Sequence, residues 1–167
     1  LMAVWVVLSL SGCAGPAGKP TPPEPQPKPV ETVAVKVYFG APDAEHLAAE
    51  VSQLNKDPLL LQRAMEILIV GPKDKKLWPV LTATTKVRSV LVKDKIAQVD
   101  FSADLVAQKG GGSAREILAV SAIVYTLTEF PEVERVQILI EGKKVATLYG
   151  HMDLSEPLDR IAGMLKE

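Results

Sequence analysis

Seven of the thirteen prolines in this 167-residue chain fall between Pro16 and Pro29, and they decide where a domain can begin. Proline lacks an amide hydrogen and has a fixed φ, so a stretch this dense in it builds neither a helix nor a sheet ladder of its own. It favours extended polyproline II, at about 3.1 Å per residue, so residues 14–31 reach roughly 50 Å. Regular structure is therefore expected from Thr32 onward, and residues 32–167 fit one domain with a real core. The formal net charge of −1 leaves no basic excess for nucleic-acid binding.

Upstream of the prolines, an apolar run from Met2 leads into Leu10-Ser11-Gly12-Cys13, and Cys13 is the chain's one cysteine. The run is shorter than the about 20 apolar residues of a membrane span. It has the length of a signal-peptide apolar region. Leu10-Ser11-Gly12-Cys13 resembles the lipobox of bacterial lipoproteins. That resemblance implies a signal peptide over residues 1–12, a lipidated Cys13 heading a tether over 13–31, and one domain over 32–167. It places the domain on the extracytoplasmic face of the cell membrane, held by a diacylglyceryl group on the Cys13 sulfur. No thiol then remains for a disulfide, a metal or a nucleophile.

Within the domain the apolar pattern alternates between periods. Residues 33–39 (VAVKVYF) read as a strand ending at Gly40-Ala41-Pro42-Asp43. Residues 44–54 suit either a helix face or a short return strand at 47–51. Asp57-Pro58 is expected to cap and open a helix whose stripe is Leu61, Ala64, Met65 and Leu68, and Gly71-Pro72 to end it. Lys73, Lys75 and Lys76 follow, either as a solvated helix end or as an anion site. Residues 87–92 and 96–101 form a hairpin around Lys93-Asp94-Lys95. Ala97, Val99 and Phe101 share its covered face, and Asp100 is expected to face solvent with Gln98.

Gly110-Gly111-Gly112-Ser113 precedes a second helix. It lacks the order and spacing of a phosphate-binding loop. Ser113 and Glu116 instead have capping-box spacing. Ile117, Val120, Val124 and Leu127 are expected inward, and Pro131 follows the helix. Residues 136–140 are a further strand, residues 145–148 its return, and Ser155-Glu156-Pro157 opens a last helix with Leu158, Ile161, Ala162 and Leu165 on one face. The expected class is α+β: a small, largely antiparallel sheet with two helices on one face in a βαββαβ core, plus a C-terminal hairpin and helix.

Several blocks carry a family resemblance: VKVYFGAPDAEHL (35–47), ILIVGPKD (67–74), WPVLTATTKVRSV (78–90), IAQVDFSADL (96–105) and, above all, residues 123–158. Together they resemble the GerM domain of sporulation and germination proteins, over about residues 34–156. The resemblance favours the return strand at 47–51. Its fold is similar to ring-building motifs of the sporulation envelope channel. It implies a non-enzymatic assembly or scaffold role, exerted by docking onto an envelope protein, with one domain copy that could stay monomeric in isolation.

The residues themselves supply no assembled catalytic set. His46 and His151 stand alone without metal-ligand spacing, so neither a metal nor a cofactor is expected. The carboxylates Asp100, Asp104, Glu129 and Asp153 could pair across a cleft as glycosidase carboxylates do, but no motif pairs them. Gln98, Asp100 and Asp153 are the positions expected at an interaction surface. The alternative reading is a lipoprotein binding wall polymer or a small ligand, against which most aromatics lie inside apolar runs. Two acyl chains hold a protein where one binds marginally. Cys13→Ala is thus expected to abolish metabolic lipid labelling and to release or misprocess the protein; unchanged labelling would sink the lipobox reading.

Overall fold

The computed structural model describes residues 31–107 and 112–166. Cys13 and most of the tether lie outside the described residues, as do Gly110 and Gly111. Two strands open the domain, β1 (Thr32–Gly40) and β2 (Leu47–Asn55), paired antiparallel in a sheet of their own. Residues 47–55 are thus strand rather than helix. The turn before them is closed by Asp43, whose Oδ1 accepts from the amides of Glu45 and His46 at 3.1 Å. Once the chain is reversed there, Ser52 and Leu54 alternate inward against β1, while Leu47, of the opposite parity, is buried where it bridges to Leu165.

Helix α1 (Leu60–Val70) buries Ala64, Met65, Leu68 and Ile69. It starts later than Asp57-Pro58 suggests. Asp57 Oδ1 accepts from Leu59 N at 2.9 Å, and its carbonyl from Leu60 N at 3.0 Å. The pair therefore makes an Asx-type turn into the helix, and Pro58 sits outside it. Gly71 ends α1 as expected, at φ 99°, with its amide on Ile67 O.

A four-stranded sheet follows in the order β3-β4-β5-β6: β3 (Val87–Lys93), β4 (Ile96–Phe101), β5 (Arg135–Ile140) and β6 (Lys143–Lys144). Asp94 and Lys95, both at positive φ, form the two-residue turn between β3 and β4. A short helix α2 (Asp104–Ala107) and the long α3 (Gly112–Leu127) carry the chain back, so β5 pairs parallel to β4. Only such a crossover can place two parallel strands side by side. The α+β class holds, and the ladders other than β4–β5 are antiparallel. The expected single sheet is two, because the β1–β2 hairpin pairs with itself. Helices α1 and α3 pack together, and each touches strands of both sheets. Every residue of α3 from Leu118 to Leu127 is buried.

The C-terminal expectations change most. The return strand is two residues long, not residues 145–148, and no helix forms after Ser155. Backbone groups there are needed elsewhere. Leu158 exchanges both hydrogen bonds with Val136, at 2.8 and 3.0 Å, and Met164 O accepts from Leu47 N at 2.7 Å. Buried Gln137 donates to Leu154 O, and Tyr125 OH to Ile161 O. The segment is an extended strap that touches both sheets.

Gly40 shows how tightly β1 is held. It exchanges both backbone hydrogen bonds with Trp78, whose Nε1 donates to Ala41 O at 2.6 Å. A Cβ on Gly40 would overlap the indole. Gly40→Ala is expected to cost about 1–3 kcal/mol, the range for overpacking a filled site, as a lowered denaturant midpoint. An unchanged midpoint would show that Trp78 moves aside freely.

Buried Glu116, a lined groove and open strand edges

Ser113 and Glu116 do not form a capping box. The helix already includes Gly112, and the Glu116 carboxylate, with no solvent exposure, turns to the segment after β6. Its Oε1 accepts from Thr147 Oγ1 at 2.5 Å, Leu148 N at 2.9 Å and Tyr149 N at 3.0 Å; its Oε2 accepts from His151 N at 2.8 Å. Thr147 Oγ1 also accepts from Gly150 N. Burial by itself would raise the Glu116 carboxyl, but the hydroxyl of Thr147 and the amides of Tyr149, His151 and Leu148 outweigh it, and the net direction is down. A carboxylate accepting several such bonds favours its charged form. The sequence does hold a signal for this role. Glu116 stands at i, i+4, i+7 and i+11 with Val120, Ile123 and Leu127, on an apolar stripe where a carboxylate needs internal donors.

A second polar cluster ties β1 to the end of α3. Tyr38 N donates to Thr126 Oγ1, and Tyr38 OH donates to Glu129 Oε1 at 2.7 Å. Arg160 donates to the same Oε1 at 2.8 Å, and its guanidinium lies 4.8 Å from the centre of the Tyr125 ring. Burial, then the bond to Glu129, pushes the Tyr38 phenol up to about 12. Glu129 also pairs with Lys36 at 3.9 Å. It is a structural bridge here, held between Tyr38, Arg160 and Lys36.

Beside this cluster runs a groove of about 570 Å³, between β1, the turn into α1 and residues 129–132. Ala34, Lys36, Pro58, Leu61, Glu129 and Phe130 are among its lining residues. Among the described residues the outer edge of β3 also has no strand partner. The two-residue turn pairs Lys93 with Ile96, so Val90 and Val92 point their backbone groups away from β4. Leu91 is 64% exposed and Val92 39%.

The expected surface residues fare differently. Gln98 is exposed on β4, on the face shared with Leu91. Asp100, expected to face solvent, is buried at 7% exposure. It accepts from Gly142 N at 2.8 Å and pairs with Arg88 at 3.2 Å, because the β5–β6 turn and the irregular β3 register close over it. Asp153 is exposed, its carboxyl lowered by the Ser155 hydroxyl and amide. The next residue, Leu154, is bonded to Gln137, the β5 partner of Gln98. His46 bonds Asp43, and His151 uses its amide on Glu116 while exposed. The amides of Lys73 and Asp74 do bind an anion, but an internal one: both donate to Glu50 Oε2 at 2.9 Å. Among the described residues no helix is long and apolar enough to cross a membrane, and no cluster of three metal-ligating side chains occurs.

This two-sheet α+β arrangement is that of the GerMN domain. The chain superposes on the first GerMN domain of the sporulation protein GerM from Bacillus subtilis with a TM-score of 0.64 and 25% identity, covering 77% of this chain and 98% of that one. Against the tandem GerMN domains of the same protein the score is 0.65 at 21% identity, covering 87% of this chain and 50% of that one, so the chain spans half the tandem's length. A candidate lipoprotein from Clostridium perfringens is similar as well, at 0.57 and 27%, covering 77% and 87%. No curated protein sequence matches the chain. The family model Germane, described as sporulation and spore germination, matches residues 36–146, and the chain belongs to that family.

Glu116 is expected to make the domain acid-sensitive. A carboxyl lowered on folding binds fewer protons folded than unfolded, so its stabilisation is complete above the ordinary value of 4.5 and drains as pH falls below it. Denaturation of wild type and Glu116→Gln across pH 3–7 should show a shallower acid loss in the variant. Glu116→Ala, which strands four donors, is expected to cost about 3–5 kcal/mol at pH 7. Equal acid slopes would remove Glu116 from this role.

Proposed function

We propose that this chain is a membrane-tethered extracytoplasmic scaffold domain of a sporulation or cell-envelope complex, and that it acts by docking onto another protein without turnover. The single observation that carries the reading is the outer edge of β3. Among the described residues its outward backbone groups have no backbone partner, and the exposed Leu91 lies beside Gln98 on one face of the sheet. An open strand edge is a template for another chain. Exposed apolar side chains beside a polar rim suit a protein partner. The family's link to sporulation and germination supports the setting. The candidate lipoprotein among the similar structures supports a lipid anchor at Cys13.

Binding of a wall polymer or small ligand is the second reading, and the groove beside β1 is where it would occur. The Pro58, Leu61 and Phe130 lining suits a chain laid against apolar surface better than a sugar polymer.

The test is crosslinked recovery of partners from sporulating and vegetative membranes, using full-length protein carrying Leu91→Lys with Gln98→Lys. The double variant should lose most partner recovery. Its melting temperature should stay close to wild type, since exposed changes stay within about 0.5 kcal/mol. Hydrolysis of a wall substrate that vanishes in Asp153→Asn, with partner recovery intact, would replace docking by catalysis.

A further inference from the structure

The edge of β1 that faces away from β2 is paired along only part of its length. Gly40 exchanges hydrogen bonds with Trp78 on that side, and Tyr38 N donates there to Thr126 Oγ1. Backbone direction alternates along a strand, so Ala34 and Lys36 turn their N–H and C=O groups to the same side. Among the described residues neither finds a backbone partner there. Both line the groove of about 570 Å³, and an extended chain laid in it could take up four backbone hydrogen bonds.

The sequence just upstream of β1 has the pattern such an edge requires. In Glu24-Pro25-Gln26-Pro27-Lys28-Pro29 every second residue is proline. In an extended strand the residues of one parity direct their amides to one side. Prolines can then occupy the solvent side of an edge strand, where no donor is needed. Residues before proline are already biased to extended conformations. Glu24 and Gln26 thus keep full donor and acceptor capacity on one side, with Pro23, Pro25 and Pro27 on the other. Glu31 O still accepts from Lys56 N, so the chain enters β1 straight and must turn back over several residues. A turn within residues 27–30 accomplishes this and sets Gln26 opposite Ala34 and Glu24 opposite Lys36. That register places opposite charges across the strands, a favourable cross-strand pair.

We propose that the outer edge of β1 is a strand-addition site whose occupant is this chain's own residues 24–26, paired antiparallel with Ala34 and Lys36. The proline-rich stretch is then part spacer and part clasp. Its free reach shortens to residues 14–23, roughly 30 Å. The domain hangs from its tether in one orientation, with β1 toward the membrane side. This proposal stands apart from docking at β3, which can succeed or fail without it.

Amide hydrogen exchange on the full chain, read by NMR, tests the pairing. In wild type the Ala34 and Lys36 amides are expected to exchange at least about tenfold more slowly than in Gln26→Pro or Glu24→Pro, which remove the pairing amides. Thr21→Pro and Pro25→Ala, outside the pairing parity or register, should leave both amides protected. Val37 and Phe39, paired to β2, report in every variant that the domain is folded. Equal exchange of Ala34 and Lys36 in wild type and Gln26→Pro would overturn the proposal. Protection that falls on dilution would also overturn it, because the occupant would then be a second copy's segment.

Discussion

The hydrogen bonds collected by the Glu116 carboxylate set the course of the last third of the chain. A charged group with no solvent exposure is costly unless its lone pairs are filled. Here one hydroxyl and three amides fill them, and charge-assisted bonds of this kind are about twice as strong as neutral ones. The cost to the sheet is visible. Amides that could have extended β6 beyond Lys144 are turned to α3, so the return strand stops after two residues. Tyr149 OH then reaches Leu105 O, which ties the same segment to α2.

Because the segment leaves the sheet there, the strap that follows is free to close the domain. It meets β5 at Leu158 and β2 near Leu165, and so joins two sheets that share no ladder. Arg160 and Ile161 fasten it to α3 through Glu129, Thr128 and Tyr125. What stays uncovered follows from what the strap covers. It takes the outer side of β5 and the start of β2, and among the described residues the outer edges of β3 and of β1 at Ala34–Lys36 have no backbone partner. The β3 edge is the one we propose for docking, and the β1 edge the one we propose for the chain's own residues 24–26.

Much was legible in the sequence. Period-two alternation in residues 33–39 and 96–101 marks two strands. Gly71-Pro72 marks a helix end, and Lys93-Asp94-Lys95 a hairpin turn. Each depends on neighbours within a few residues, where φ preferences and side-chain periodicity act directly. The blocks over residues 35–47 and, above all, 123–158 also carried the family, and with it a return strand at residues 47–51.

Long-range pairing was not legible. Ser113 and Glu116 have the spacing of a capping box, and residues 155–165 have a helical stripe, yet both are claimed by partners more than thirty residues away, or by the opposite sheet. Asp100 alternates like a surface residue but is covered by Gly142 and Arg88. The sequence by itself determined the class of most elements and the kinship. Only the tertiary structure decided which backbone groups each polar side chain and each strand edge receives, because a hydrogen bond's worth depends on what else is buried beside it, and distance along the chain carries no record of that.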